Sequence, residues 1–254
     1  MALFGDAHGN LPGLYRLCAE WEAETGRRVD LALQAGDMEL WRTAEELKAA
    51  DPRRRGVDDS LFGSAPYLSG EKPVPVETWF VHGNNENFER LREAARGGID
   101  PAGRLVFLAP GTVREFRTGD ETLTVAGCGG MEYRFGKYPI PDEQPVHKYI
   151  YPPAIEALEG ERPAVDVLLL HDAPMNKGLR DKFPTGSKRI TRLIEALAPR
   201  FAFYGHYDRP PEPFRIGRTL CACLNPEAGR KIPEREGGMA VLDTESWEFG
   251  YVKG

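Results

Sequence analysis

The chain has 254 residues, a formal net charge of −6 and a pI near 5.5, so its charge advertises no non-specific attachment to nucleic acid or anionic membranes. Its four cysteines (Cys18, Cys128, Cys221, Cys223) form neither a CxxC pair nor a framework spacing, which argues against a zinc knuckle or disulfide scaffold and fits a reducing cytoplasm. The sequence opens without a basic leader and holds no apolar run approaching about 18 residues, so a soluble, unexported protein with no membrane segment is expected.

In chain order, the apolar run at 2–4 reads as a buried strand. Leu14, Leu17, Cys18 and Trp21 then fall at i, i+3, i+4 and i+7, so 13–25 reads as an amphipathic helix ended by Gly26. Buried strands are expected at 31–35, 76–81, 122–127, 165–170, 201–204, 220–224 and 239–243, with helices at about 87–95 and 187–198 between them. The stretches 51–75 and 134–153, rich in Pro, Gly and charge, read as loops. With no repeat, low-complexity tract or flexible linker, the alternation predicts one α/β domain over 1–254.

The segments just past the strands are more informative. The run at 2–4 leads to Gly5-Asp6-Ala7-His8-Gly9, that at 31–35 to Gly36-Asp37, and that at 76–81 to Gly83-Asn84-Asn85-Glu86. The run at 165–170 leads to His171-Asp172, and that at 201–204 to Gly205-His206-Tyr207-Asp208. A lone Gly-Asp after a strand is usually a turn, because both residues favour turn geometry. Five such segments, holding three of the five histidines, are hard to assign to turns. Strand ends and their loops converge on a crevice in open α/β sheets, which is where ligands bind. The pattern therefore predicts a metal site.

The segments D-x-H, GD, GN, H and GHxD, in this order, resemble the motifs of the calcineurin-like metallophosphoesterase superfamily, from Asp6 to the "LNPEAG" segment at 224–229. "LLLHDAP", "YLSGEKPVPVETWFVHGNNE" and "VDLALQAGDMELWR" look more like lariat RNA debranching enzymes than like protein phosphatases. The resemblance implies two packed mixed β-sheets flanked by helices, and a dinuclear phosphohydrolase that attacks a phosphodiester, or an activated phosphomonoester, with metal-bound hydroxide. Its alternative is a degenerate member that binds without turnover. The resemblance places Asp6, His8 and Asp37 on one divalent ion, with Asp37 bridging to a second held by Asn84, His171 and His206. Asp208 stands where the family has a further histidine on the first ion. Mn²⁺ or Fe²⁺ is expected, with Zn²⁺ or Mg²⁺ as alternatives, since Asp208 makes the first site richer in oxygen. A phosphoester, nucleotide or RNA is the implied partner.

Asn85 stands where the family has a catalytic histidine. An amide donates a hydrogen bond but supplies no proton, so a contribution of about 10²–10⁴-fold in rate is at stake. Asp37, Asn84 and Asn85 are thus the candidate catalytic residues, with Asn85, Arg134 and Lys177 as candidate substrate contacts. His82 is three residues from Asn85 and, on a strand end, need not point into the site. Lys177, Arg180, Lys182, Lys188, Arg189 and Arg192 form a basic run that reads either as a solvated helix and loop or as a wall for an anionic substrate. Cys221 and Cys223, two apart, share one strand face as buried inert thiols, and Arg53, Arg54 and Arg55 read as exposed loop charges.

Overall fold

The structure is a computed structural model that describes residues 1–50, 62–94, 98–119, 121–133, 144–175, 185–207, 212–224 and 238–252. Arg53, Arg54, Arg55, Arg134, Lys177, Arg180, Lys182, Asp208 and all but the first residue of the 224–229 segment lie outside the described residues.

In chain order the elements are β1 (Ala2–Phe4), α1 (Leu11–Thr25), β2 (Leu31–Gln34), α2 (Ala44–Ala50), α3 (Ala65–Ser69), β3 (Glu77–Phe80), α4 (Phe88–Ala94), β4 (Leu105–Phe107), β5 (Val113–Thr118) and β6 (Glu121–Cys128). Then come α5 (Pro152–Glu161), β7 (Val167–Leu170), α6 (Lys188–Leu197), β8 (Phe201–Tyr204), β9 (Phe214–Ile216), β10 (Thr219–Cys223), β11 (Ala240–Leu242) and β12 (Phe249–Tyr251). They build two six-stranded sheets, ordered β12-β11-β1-β2-β3-β4 and β5-β6-β7-β8-β10-β9. In each sheet the central strands run parallel and an antiparallel strand closes at least one edge, so both are mixed.

Side-chain alternation along the strands sorts the core into three layers. Leu3, Leu33, Trp79, Val125, Leu169, Phe203 and Ala222 point between the sheets. The alternate residues of the first sheet, such as Phe4, Ala32 and Phe80, pack outward against Leu11, Leu14 and Cys18 of α1 and Leu91 of α4. Those of the second sheet, Leu168, Leu170, Ala202, Tyr204, Cys221 and Cys223, pack against α5 and α6. Both cysteines face the helices and are fully buried, and burial pushes the Cys221 thiol up to about 12, so it stays protonated and inert.

The helix boundaries follow local chemistry. Asn10 caps α1, its Oδ1 accepting from Gly13 N at 3.0 Å, and Gly26 ends it in the left-handed conformation at φ 68°. Ser187 caps α6, whose Ile190, Leu193, Ile194 and Leu197 form one buried stripe. Two expectations need correction. The loop assigned to 51–75 contains α3, which starts after Ser64 with Pro66 in its first turn and is stopped by Gly70 at φ 78°. The loop assigned to 134–153 ends early, because the prolines at 152 and 153 start α5, where a missing N–H costs nothing.

Candidate metal centre

The ends of β1, β2 and β3 in one sheet meet those of β7 and β8 in the other. His8 N donates to Asp37 O at 2.8 Å, Gly9 N to Met38 O at 2.9 Å, and Gly205 N to His171 O at 3.1 Å. These contacts leave no room for extra side-chain atoms. A Cβ on Gly83 would stand 2.0 Å from Asp37 Oδ1, and one on Gly36, at φ +92°, would stand 2.5 Å from His171 Nδ1. His8, Asp37, Glu39 and His206 all hold positive φ, at 45°, 53°, 53° and 69°. Such backbone costs about 1–3 kcal/mol per residue and clusters at functional sites, where the surrounding packing enforces it.

Asp6, His8 and Asp37 each bring a ligand atom to within 4.8 Å of the others, an arrangement that could hold a metal ion. Asp6 Oδ1 accepts from His206 N at 2.9 Å, and Asp6 Oδ2 lies 3.8 Å from His8 Nε2. Across Asp37, His171 Nε2 is 3.6 Å from Asp37 Oδ1 and 3.1 Å from Asn84 Oδ1. The rings of His171 and His206 stack edge to face with centroids 4.9 Å apart.

The donor set fits cations. His171 Nδ1 lies 2.8 Å from the Ala35 carbonyl, which only an N–H can satisfy, so Nε2 is the nitrogen turned toward two oxygens. The Asp37 and Asn84 oxygens beside this nitrogen form a point that a positive charge, proton or metal ion, satisfies. His8 repeats the arrangement, with Nδ1 held 2.7 Å from Glu39 Oε1 and Nε2 turned toward Asp6. A histidine oriented by a carboxylate or carbonyl behind it is the usual support for a metal ligand.

Electrostatics follow from burial against neighbouring charge. Burial dominates at Asp6 and raises its pKa, with Asp37 adding repulsion. At Asp37 burial acts the same way, but His171, His8 and the two Asn85 donors outweigh it and the pKa falls. Burial disfavours the His8 imidazolium, yet the Glu39 hydrogen bond and the charges of Asp6 and Asp37 raise it to about 9. The cluster is thus strongly cation-seeking.

Asn85 is at the mouth of this cluster. Its backbone N donates to Asp37 Oδ1 and its Nδ2 to Asp37 Oδ2, both at 2.7 Å. Each carboxylate oxygen keeps a second lone pair. His82 is no substitute acid. It is fully buried between the edges of Phe88 and Phe107, and burial, with His171 and His147 nearby, pushes its pKa down to about 3.

Three buried carboxylates that sequence reading left without a role frame the cluster. Glu39 steadies His8 and accepts from Trp41 Nε1 at 3.2 Å. Glu86 accepts three backbone N–H groups, from Met38 at 2.9 Å, Gly83 at 3.1 Å and Glu39 at 2.9 Å, and so locks the loop after β2 to the loop after β3. Asp172 accepts from Tyr207 Oη at 2.7 Å and Glu132 N at 2.8 Å, tying the His171 and His206 strand ends to the loop after β6. Glu86 and Asp172 adjoin recognisable motifs, which is a signal of proximity but not of role.

No family model matches the chain. A lariat debranching enzyme of Drosophila melanogaster is 35% identical over 231 residues, covering 81% of this chain and 42% of that protein. The Homo sapiens lariat debranching enzyme is 28% identical over 233 residues (81% and 41%), and that of Arabidopsis thaliana 25% over 231 residues (81% and 54%). The chain thus spans about half the length, or less, of these relatives. Among solved structures, TT1561 of Thermus thermophilus matches with a TM-score of 0.61 over 99% of this chain and 97% of that one, at 17% identity. GAP50 of Plasmodium, described as the anchor in the inner membrane complex, matches at 0.53 over 99% and 87%, at 11% identity. Likeness at such identities is one of fold, and here it is the two-sheet fold already described. Fold and sequence similarity agree with the motifs: over 81% of its length the chain is similar to lariat debranching enzymes, and its two mixed sheets flanked by helices form a metallophosphoesterase-like fold.

Proposed function

We propose that the chain is a metal-dependent phosphodiesterase that holds two divalent ions and acts on a nucleotide or RNA phosphodiester, within one domain over 1–254. The observation that carries this reading is the convergence on Asp37 of Asp6 and His8, within 4.8 Å, and of His171, itself 3.1 Å from Asn84, each histidine turned by a hydrogen bond behind it. In this reading Asp6, His8 and Asp37 hold the first ion, joined by Asp208, and Asp37, Asn84, His171 and His206 hold the second. When bound, the ions supply neutralisation of phosphate charge and acidification of the attacking water. The oxygen-rich set favours Mn²⁺ or Fe²⁺. Asp37 is held in place by Asn85, and Glu39 and Ala35 O keep the ligand nitrogens of His8 and His171 aimed inward. Arg134 is assigned as a phosphate contact by family resemblance, and Lys177 from its place in the basic run that follows His171. The relatives act on lariats by name, which supports a branched or 2′,5′-linked RNA as substrate. Four buried free cysteines support a reducing, cytoplasmic setting, and no helix among the described residues is long and apolar enough to cross a membrane.

Asn85 favours a second reading, a binding module with little turnover. Its amide is engaged with Asp37 and has no proton to release, so a departing alkoxide must take its proton from water or from the substrate itself. Metal analysis of protein purified without chelator decides the first point: more than one equivalent is expected, falling sharply in Asp37→Ala. Hydrolysis of bis-p-nitrophenyl phosphate and of 2′,5′-linked dinucleotides with Mn²⁺ decides between the readings. Protein that is metal-free and takes up no Mn²⁺ overturns both.

A further inference from the structure

Beside the metal centre lies a cleft of about 510 Å³ whose walls include Glu132, Tyr133, Met175, Lys188, Arg189 and Arg192. It is structurally continuous with the centre. Asp172, the residue after His171, holds Glu132 N at 2.8 Å, and Glu132 in turn pairs with Arg189 Nη1 at 2.5 Å and accepts from the Ser187 hydroxyl. Met175 N donates to Thr191 Oγ1 at 2.9 Å, so the loop after β7 is fastened to the first turn of α6. Glu132 thus neutralises one cation and fixes the helix start against the loop after β6.

The other two cations are placed differently. Lys188 and Arg192 are exposed, one turn apart on α6, and neither has an ion-pair or hydrogen-bond partner among the described residues. Like charges at this spacing repel on a helix surface, which costs stability unless an anion lies between them. This basic cleft occurs in a chain whose net charge is −6. Tyr133 lines the same cleft, half-buried and braced edge to face by Tyr149 at 4.8 Å between centroids. Paired cations with an aromatic ring are the elements by which proteins hold single-stranded nucleic acid, the charges on phosphate and the ring against a base.

The geometry points to a subsite for the nucleotide adjoining the scissile phosphodiester of a single-stranded substrate, with Lys188 and Arg192 on its phosphate and Tyr133 against its base. This rests on the phosphodiesterase reading and extends it from the bond cleaved to the chain that carries the bond. The subsite acts in binding: it holds a flank that a nitrophenyl ester lacks.

The test is a fluorescence-anisotropy titration of a labelled single-stranded oligonucleotide of about 12 residues in EDTA, which prevents turnover and removes metal contacts. Lys188→Glu/Arg192→Glu is expected to weaken binding at least tenfold and to flatten the slope of log Kd against log salt by about 0.7, the share of one neutralised phosphate on a single strand. Tyr133→Ala is expected to weaken binding by about 5–100-fold with the salt slope unchanged. Should the reversed pair fold poorly, Lys188→Gln/Arg192→Gln asks the same question with a smaller effect. With Mn²⁺ restored, all variants should hydrolyse bis-p-nitrophenyl phosphate at the unmodified rate while KM for an oligonucleotide rises. Unchanged affinity and salt slope in the charge variants overturn the subsite, and so does an equal loss on both substrates. Absence of nitrophenyl ester hydrolysis in the unmodified protein overturns the phosphodiesterase reading instead, and the binding titration then judges the cleft by itself.

Discussion

Acidification should destabilise this protein through His82, by an amount that its surroundings set. The side chain is fully buried at the end of β3, between Phe88 and Phe107, and neither ring nitrogen makes a hydrogen bond. Burial, reinforced by His171 and His147, holds its folded pKa at about 3, below the ordinary value of 6.5. Between those values the unfolded chain takes up a proton that the folded chain refuses, so stability is fully present above pH 6.5 and declines as pH falls toward 3. At pH 5 the loss covers 1.5 pH units at 1.36 kcal/mol each, about 2 kcal/mol. His82→Leu removes the titration, and because both nitrogens lack partners it leaves no new orphan behind. Urea unfolding in EDTA, so that metal binding does not contribute, should give similar stabilities for the two proteins at pH 7.5. At pH 5 the variant should lead by about 2 kcal/mol, a midpoint difference of roughly 0.7 M for a slope near 3 kcal/mol/M. Other groups titrate in both proteins and cancel in the comparison. Identical pH profiles would refute the assignment of a neutral buried imidazole to position 82.

Glu39→Gln keeps an acceptor for His8 Nδ1 but removes the charge behind it, and should weaken Mn²⁺ affinity about 10–100-fold by calorimetric titration, with Glu39→Ala weaker still. Gly83→Ala places a methyl group against Asp37 Oδ1 and should abolish stable metal uptake; normal metal content would show that the two loops can separate. Asn85→His restores a proton donor at the mouth of the site and should raise turnover of alkyl or nucleotide esters by about 10–10³-fold, with much less effect on nitrophenyl esters. An equal change on both ester classes would assign Asn85 to positioning Asp37, the role its two hydrogen bonds already perform.

Some of this was legible along the chain because it is local. The stripe of Leu14, Leu17, Cys18 and Trp21, and the stop at Gly26, need only a helix and its cap, and α1 forms where they place it, starting two residues earlier at its Asn10 cap. The eight apolar runs became buried strands because such runs can be covered only inside a sheet with layers on both faces. The elements that escaped notice carry weaker local signals. Along β5, "VREFRT" exposes most of its residues at a sheet edge, and β4, β9 and β12 are three residues each, too short for a period to show.

The centre divides along the same line. Residue types at strand ends are one-dimensional information, and they named Asp6, His8, Asp37, Asn84, His171 and His206 as members of one site. Their proximity and aim depend on residues distant in sequence. Only the tertiary structure could show Ala35 O of one sheet behind His171 of the other, Glu86 gathering amides from two loops, or Glu132 bracing α6 against the loop after β6. His82 makes the contrast plainest. Adjacent in sequence to the Gly-Asn segment, it lies at a strand end where successive side chains alternate, and the fold turned it into the apolar core while Asn85 stayed at the mouth. Sequence determined which chemistry the chain carries, because donor types and their order along the chain are local properties. Tertiary structure decided which groups face a cation and which face hydrocarbon, because that depends on what a second sheet, over a hundred residues away, brings to the other side.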